Sequence, residues 1–108
     1  MYLKAEEFYA LVLEMLKNKE IDKIVKDQLR RATLSIVLNI AEGAGKYALA
    51  DKKNFYIISR GSVNECVAIL RILKIENKIS EEIFKNSYEY LLEIAKMLTG
   101  LVNSLVRR

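Results

Sequence analysis

The sequence predicts an all-α protein, an antiparallel up-down-up-down four-helix bundle, on three observations. Its 108 residues hold no proline and only four glycines, so almost nothing interrupts helix. Apolar residues recur at three- and four-residue spacing through four stretches, each able to bury one face. The breaks between them are short and polar, which makes each helix the antiparallel neighbour of the one before. At this length the chain is one domain, residues 1–108, and its 52% hydrophobic and 30% charged residues lie within the globular range.

The first helix is expected from about Leu3 to Lys19, with Ala5, Phe8, Tyr9, Val12, Met15 and Leu16 on its apolar stripe. After a polar break at Asn18, Lys19 and Glu20, Asp22 is the expected N-cap of the second helix. That helix carries Val25, Leu29, Ala32, Ile36, Ile40 and Gly43 on its stripe and frays at Gly43-Ala44-Gly45. Asp51 is the expected cap of the third, whose stripe is Phe55, Ile58, Ser62, Cys66, Ile69 and Leu73. Asn77 and Lys78 break the pattern again, and Ser80 caps the fourth helix with Glu81 and Glu82 facing its positive dipole end. The fourth stripe runs through Ile83, Phe84, Ser87, Leu91, Ile94, Ala95, Leu98, Leu101, Val102 and Leu105, and Arg107 and Arg108 put cations at its C-terminal end.

The second helix has a surplus of apolar surface. Leu34, Val37, Leu38 and Ala41 lie opposite its core stripe, and a helix apolar nearly all round has to be buried nearly all round. Subunit contact through Leu34, Val37 and Leu38 explains this better than a greasy surface does.

Catalytic chemistry finds little support. There is no histidine, which removes the commonest general base and metal ligand. The single cysteine, Cys66, sits on an apolar stripe as an inert core thiol. Gly43-Ala44-Gly45-Lys46 lacks the glycine at position 40 and the Ser or Thr at 47 that a phosphate loop requires. Glu42 and Glu65, near Asn39 and Ser62, are read as hydrogen-bonding groups of the contact between helices two and three, or as partners of Arg31 or Arg60, rather than as a metal pair. No catalytic residue, metal or cofactor is therefore assigned, and the protein is expected not to be an enzyme. The longest apolar-rich run, Ala32 to Ala41, spans only about 15 Å as a helix, so no membrane partner is expected and a cytoplasmic location is.

Charge is more informative. The net charge is +4, yet residues 28–75 alone hold eight basic side chains (Arg30, Arg31, Lys46, Lys52, Lys53, Arg60, Arg71, Lys74) against three acids. Such asymmetry points to a polyanionic partner, the alternative being a solubilising surface. Lys46, Lys52 and Lys53 flank the turn between helices two and three, with Arg30 and Arg31 some turns lower on helix two. With Arg60, these are the candidate nucleic-acid-binding residues. Tyr47, Phe55 and Tyr56 lie nearby in sequence and can stack on bases, Phe55 being read rather as core. With no base-reading motif, any contact with DNA or RNA should run through phosphates, with strong salt dependence and little sequence preference.

The segment Ser35-Ile36-Val37-Leu38-Asn39-Ile40-Ala41-Glu42-Gly43 resembles the S-x-x-x-N-I-A-E-G signature of a bacterial family of four-helix-bundle proteins. Arg60-Gly61-Ser62-Val63-Asn64-Glu65 is similar to that family's A-x-G-S-x-x-E block, although Ser59 stands where alanine is usual and Lys46 where arginine is commoner. The family includes the 23S rRNA intervening-sequence proteins and the accessory variability determinant (Avd) proteins of diversity-generating retroelements. The resemblance implies a homopentameric barrel around a central, often basic channel. For an Avd-like member it implies nucleic-acid binding and association with a reverse transcriptase. It also implies that Asn39, Glu42, Gly43, Gly61, Ser62 and Glu65 are structural residues of the contact between helices two and three. The alternative function is a protein-interaction scaffold of the intervening-sequence type with no nucleic-acid role.

Overall fold

A computed structural model describes residues 2–106, the side chain of residue 106 excepted; the expected cations Arg107 and Arg108 lie outside the described residues. Four helices follow one another, α1 (Tyr2–Met15), α2 (Lys23–Ala44), α3 (Leu49–Ile75) and α4 (Glu81–Val106), with no strand among the described residues. Each packs against its neighbours around the bundle, α1 against α2 and α4, and α3 against α2 and α4. Cross-helix bonds show the antiparallel order. The Ser59 hydroxyl donates to the Ile36 carbonyl at 3.0 Å and Thr33 Oγ1 lies 3.6 Å from Cys66 Sγ across α2 and α3. Between α1 and α4, Lys4 Nζ meets Glu93 at 3.3 Å. No helix among the described residues is long and apolar enough to cross a membrane.

The core follows the expected stripes with three corrections, one each on α3, α2 and α4. Phe8, Val12, Leu29, Ile36, Ile40, Leu70, Leu73, Leu91, Ile94 and Leu98 are almost wholly enclosed. On α3, however, Tyr56 and Ser59 turn inward where Phe55 and Ile58 were expected, and Ile58 is exposed. The cause lies on α2, where buried Gly43 leaves room for the Tyr56 ring. A Cβ on Gly43 would stand 2.7 Å from Tyr56 Cε1. On α2, Val37 joins the core at 9% exposure instead of standing on the outer face. On α4, Ile83 is exposed and the core stripe begins at Phe84 and Ser87.

Helix ends also diverge from expectation. α1 stops at Met15, short of the expected Lys19, as its last bonds tighten into i→i+3 turns at Lys17 and Asn18. Asn18 then ties two turns together: its Oδ1 accepts from Glu20 N–H and its Nδ2 donates to the Lys78 carbonyl, both at 2.9 Å. Asp22 holds the N-cap position of α2, but its carboxylate makes no capping hydrogen bond. Asp51 is not the cap of α3; Ala48 is, and Asp51 lies inside the first turn, where its charge faces the positive dipole end. Ser80 caps α4 as expected, its Oγ accepting from Ile83 N–H at 3.1 Å. The α3 terminus closes as a Schellman motif, Lys78 N–H to the Leu73 carbonyl and Asn77 N–H to that of Lys74, with Asn77 at a φ of 58°.

α1 is much the shortest helix, about half the length of α3 and α4. Because Lys4, in its first turn, already meets Glu93, the later turns of α4 run on past α1. The end of the bundle that carries the α2–α3 loop is therefore built from three helices, closed by Tyr56 packing under Gly43.

Candidate nucleic-acid interface

The six expected phosphate-binding residues do not form one patch. Arg30 lies against Tyr9 of α1, whose hydroxyl pushes the guanidinium pKa further up, while Arg31 is exposed on α2. Lys46 is tethered at the tip, 3.8 Å from Glu42 and 5.3 Å above the Phe55 ring. Lys52 Nζ donates to the Gly43 and Ala44 carbonyls, both at 3.2 Å, so it neutralises the negative end of α2 instead of facing outward. Only Lys53 and Arg60 share a face, being two helical turns apart on α3.

That face extends into a basic stripe the sequence reading missed. Arg60 Nη1 reaches Thr99 Oγ1 at 3.5 Å, the Arg71 guanidinium lies 6.0 Å from the Tyr88 ring centroid, and Lys74 Nζ lies 4.7 Å above Phe84. All three therefore point to the α4 side of α3, with Lys53 one heptad before Arg60. From Lys53 to Lys74 the stripe runs about 32 Å along the helix axis. Lys96, exposed one turn before Thr99, adds a cation from α4. Among the described residues the stripe's one ion pair joins Lys74 to Glu81, at 2.9 Å. Arg71, Lys74, Ile75 and Phe84 line a hollow of about 260 Å³ at its far end. Separations of 7, 11 and 3 residues between Lys53, Arg60, Arg71 and Lys74 all return to one helix face, a periodicity of charge legible in the sequence. At the same end of the bundle, a wider hollow of about 930 Å³ mixes Lys19, Lys23, Lys26 and Lys78 with Glu20, Asp22 and Glu76, so its charges oppose one another.

The motif residues divide into two groups. Asn39 Nδ2 donates to the Ser35 carbonyl at 2.8 Å and to Ser35 Oγ at 3.0 Å, and the Ser62 hydroxyl donates to Ser35 Oγ at 2.7 Å. These, with Gly43 under Tyr56, form the expected polar seam between α2 and α3. Glu42, Gly61 and Glu65 do not belong to it. Glu42 and Glu65 are exposed, Glu42 pairs with Lys46 rather than Arg31 or Arg60, and nothing lies within 4 Å of a Cβ built on Gly61. Among the described residues, no three Asp, Glu or Cys side chains converge as a metal site would need. Burial pushes the Cys66 thiol up to about 12, the neighbouring Thr33 hydroxyl opposing in part, so the thiol is inert in the folded chain.

Exposed apolar residues stand on α2 and α3, beside Leu3 and Leu13 of α1 and Ile83 and Leu92 of α4. Leu34 and Leu38 are exposed on α2, at 36% and 52%, together with Ile24. On α3, Ile57, Ile58, Ile72 and Ile75 are exposed.

Helix order, the Ser35–Asn39–Ser62 seam and the glycine under Tyr56 define an all-α bundle of four antiparallel helices. Residues 1–100 match the 23S rRNA-intervening sequence protein family, and the chain belongs to that family. Among solved structures it is similar to a protein of unknown function from the S23 ribosomal protein family of Bacteroides thetaiotaomicron. The two superpose with a TM-score of 0.89 at 25% identity, over 94% of this chain and 96% of the other. No curated protein matches the sequence.

Proposed function

We propose that the protein is an oligomeric, non-catalytic accessory protein that holds nucleic acid electrostatically on the α3 stripe. The observation that carries this reading is the alignment of Lys53, Arg60, Arg71 and Lys74 along one flank, with little acid to oppose them. Cations spaced along a rigid helix match a repeating phosphate backbone and give affinity without sequence preference. Arg60 and Arg71 retain unused guanidinium donors for phosphate oxygens.

Assembly is the second part of the proposal. Pairing the exposed residues of α2 on one copy against those of α3 on the next is a heterologous contact, which forms a ring where the rotation between copies closes. A ring of five agrees with the family resemblance. Association with a reverse transcriptase, as in Avd-like members, rests on that resemblance alone.

Salt titration of oligonucleotide binding tests the interface. Substituting Arg60→Gln with Arg71→Gln should lower the magnitude of the log–log salt slope by about 2, since each lost phosphate contact removes about 0.9 on duplex DNA. Arg30→Gln with Arg31→Gln should leave the slope unchanged. The reverse pattern would move the interface to α2. Light scattering should give about five times the mass of one chain. An assembled protein indifferent to nucleic acid at low salt would leave the intervening-sequence scaffold, which the exposed apolar residues of α2 and α3 favour.

A further inference from the structure

We propose that Tyr47 is a stacking platform for an unpaired base, which makes single-stranded nucleic acid the preferred ligand of this protein. The inference rests on the electrostatic reading above and goes beyond it, because phosphate contacts alone do not distinguish single strands from duplex.

The nine aromatic side chains are accounted for one by one. Phe8 packs 6.4 Å from Tyr90 in the α1–α4 contact, and Phe84 stacks on Tyr88 at 5.9 Å beneath Arg71 and Lys74. Tyr9 lies beside Arg30, and Tyr2 is exposed at 43%, less than half as much as Tyr47. Of the three candidates near the α2–α3 turn, Tyr56 is 6% exposed under Gly43 and Phe55 is half-buried below Lys46. Tyr47 remains, 100% exposed in the loop between Gly45 and Ala48. A ring in water on both faces adds nothing to the fold, and a planar ring open on both sides is what a nucleobase stacks upon.

Its surroundings fit a polyanion. Lys53, in the first turns of α3 behind it, begins the basic stripe, while Lys46 and Lys52 on either side of it are engaged by Glu42 and by the α2 carbonyls. A strand whose phosphates follow Lys53, Arg60 and Arg71 meets, at the end of the bundle, the fully exposed ring of Tyr47. Duplex bases are already stacked on one another and have no free face to offer. The apolar area of the tip, Tyr47 with half-exposed Leu49, is too small to anchor in a lipid interface, which takes a whole apolar helix face.

The chain contains no tryptophan, so Tyr47→Trp introduces a single reporter. Dye-labelled oligonucleotides report binding by anisotropy while emission from position 47 reports stacking. The probes are a single-stranded DNA 12-mer, an abasic strand of equal length and charge, and the matching duplex. Quenching is expected with the base-bearing strand and not with the abasic strand or duplex. In the otherwise unaltered chain, Tyr47→Ala should weaken single-strand binding about tenfold and duplex binding less than twofold. Binding of all three probes with no change in emission would overturn the stacking role and leave the electrostatic reading intact. Absence of binding at low salt would overturn both. Emission already blue-shifted in the free protein, or shifted only by anionic phospholipid vesicles, would give position 47 to a second copy or to a membrane and overturn the inference.

Discussion

Replacing Gly43 by alanine should destabilise the bundle, although the same change in an exposed helix interior stabilises. Alanine is favoured over glycine in helix by about 1 kcal/mol. Here the added methyl carbon meets three ring atoms of Tyr56, at 2.7, 3.0 and 3.1 Å, where ordinary contact begins near 3.4 Å. The ring must move by roughly 0.7 Å, yet it is held at 6% exposure between α2 and α3. Overpacking of this kind costs about 1–3 kcal/mol, so the net expectation for Gly43→Ala is a loss of about 1 kcal/mol. Urea unfolding followed by far-ultraviolet circular dichroism, at fixed protein concentration because assembly contributes to stability, measures it. The Tm should fall by roughly 4–8 °C. In a Tyr56→Ala background the clash is gone, and the same glycine substitution should stabilise by close to its propensity value. The coupling in the double-mutant cycle is then about 2 kcal/mol. A Gly43→Ala protein more stable than the parent, or a coupling below about 0.5 kcal/mol, would refute the argument that Gly43 exists for Tyr56.

Three further outcomes are expected. The Ser87 hydroxyl is fully buried with no hydrogen-bond partner among the described residues, so Ser87→Ala should raise stability by about 1 kcal/mol in the same urea assay. A lower midpoint would mean that the hydroxyl is satisfied. The Cys66 thiol, raised from 9.0 to about 12, stays neutral in the fold while the unfolded chain ionises first. Its contribution is complete below pH 9 and lost as pH rises toward 12. The stability advantage of the parent over Cys66→Ala should therefore shrink by about 2 kcal/mol between pH 9 and pH 11, and a constant difference would exclude it. Lys52→Gln removes the cation from the α2 terminus and should cost about 0.5–1 kcal/mol at low salt, the deficit fading near 0.5 M salt. A deficit that persists there would mean packing rather than charge.

Much of this fold is legible in the chain because helix existence is a local property. Long stretches free of proline, apolar residues at helical spacing and a serine ahead of Glu81 and Glu82 are read without knowing what packs against them. The Ser80 cap and the α4 core residues Leu91, Ile94, Leu98 and Val102 were accordingly expected where they occur. The resemblance implied Asn39 and Ser62 at the contact of helices two and three; the bond that crosses it joins Ser62 to Ser35, and Asn39 bonds within α2.

Other features depend on what stands opposite. Phe55, Tyr56, Ile57 and Ile58 are four apolar residues in a row, and periodicity cannot choose among them. The hollow left by Gly43, a residue of another helix, draws Tyr56 inward and leaves Ile58 outside. Val37 is read as outer surface only when α2 is considered apart from its neighbours, and Lys52 is read as a free cation only when the α2 terminus behind it is ignored. The basic stripe, too, acquires meaning only once α4 lies beside α3, its Thr99, Tyr88 and Phe84 setting the direction of Arg60, Arg71 and Lys74. Sequence spacing specifies which side chains share a face of one helix. Only packing decides whether that face meets core, a neighbouring helix or water, because burial is a property of pairs of surfaces and not of either alone.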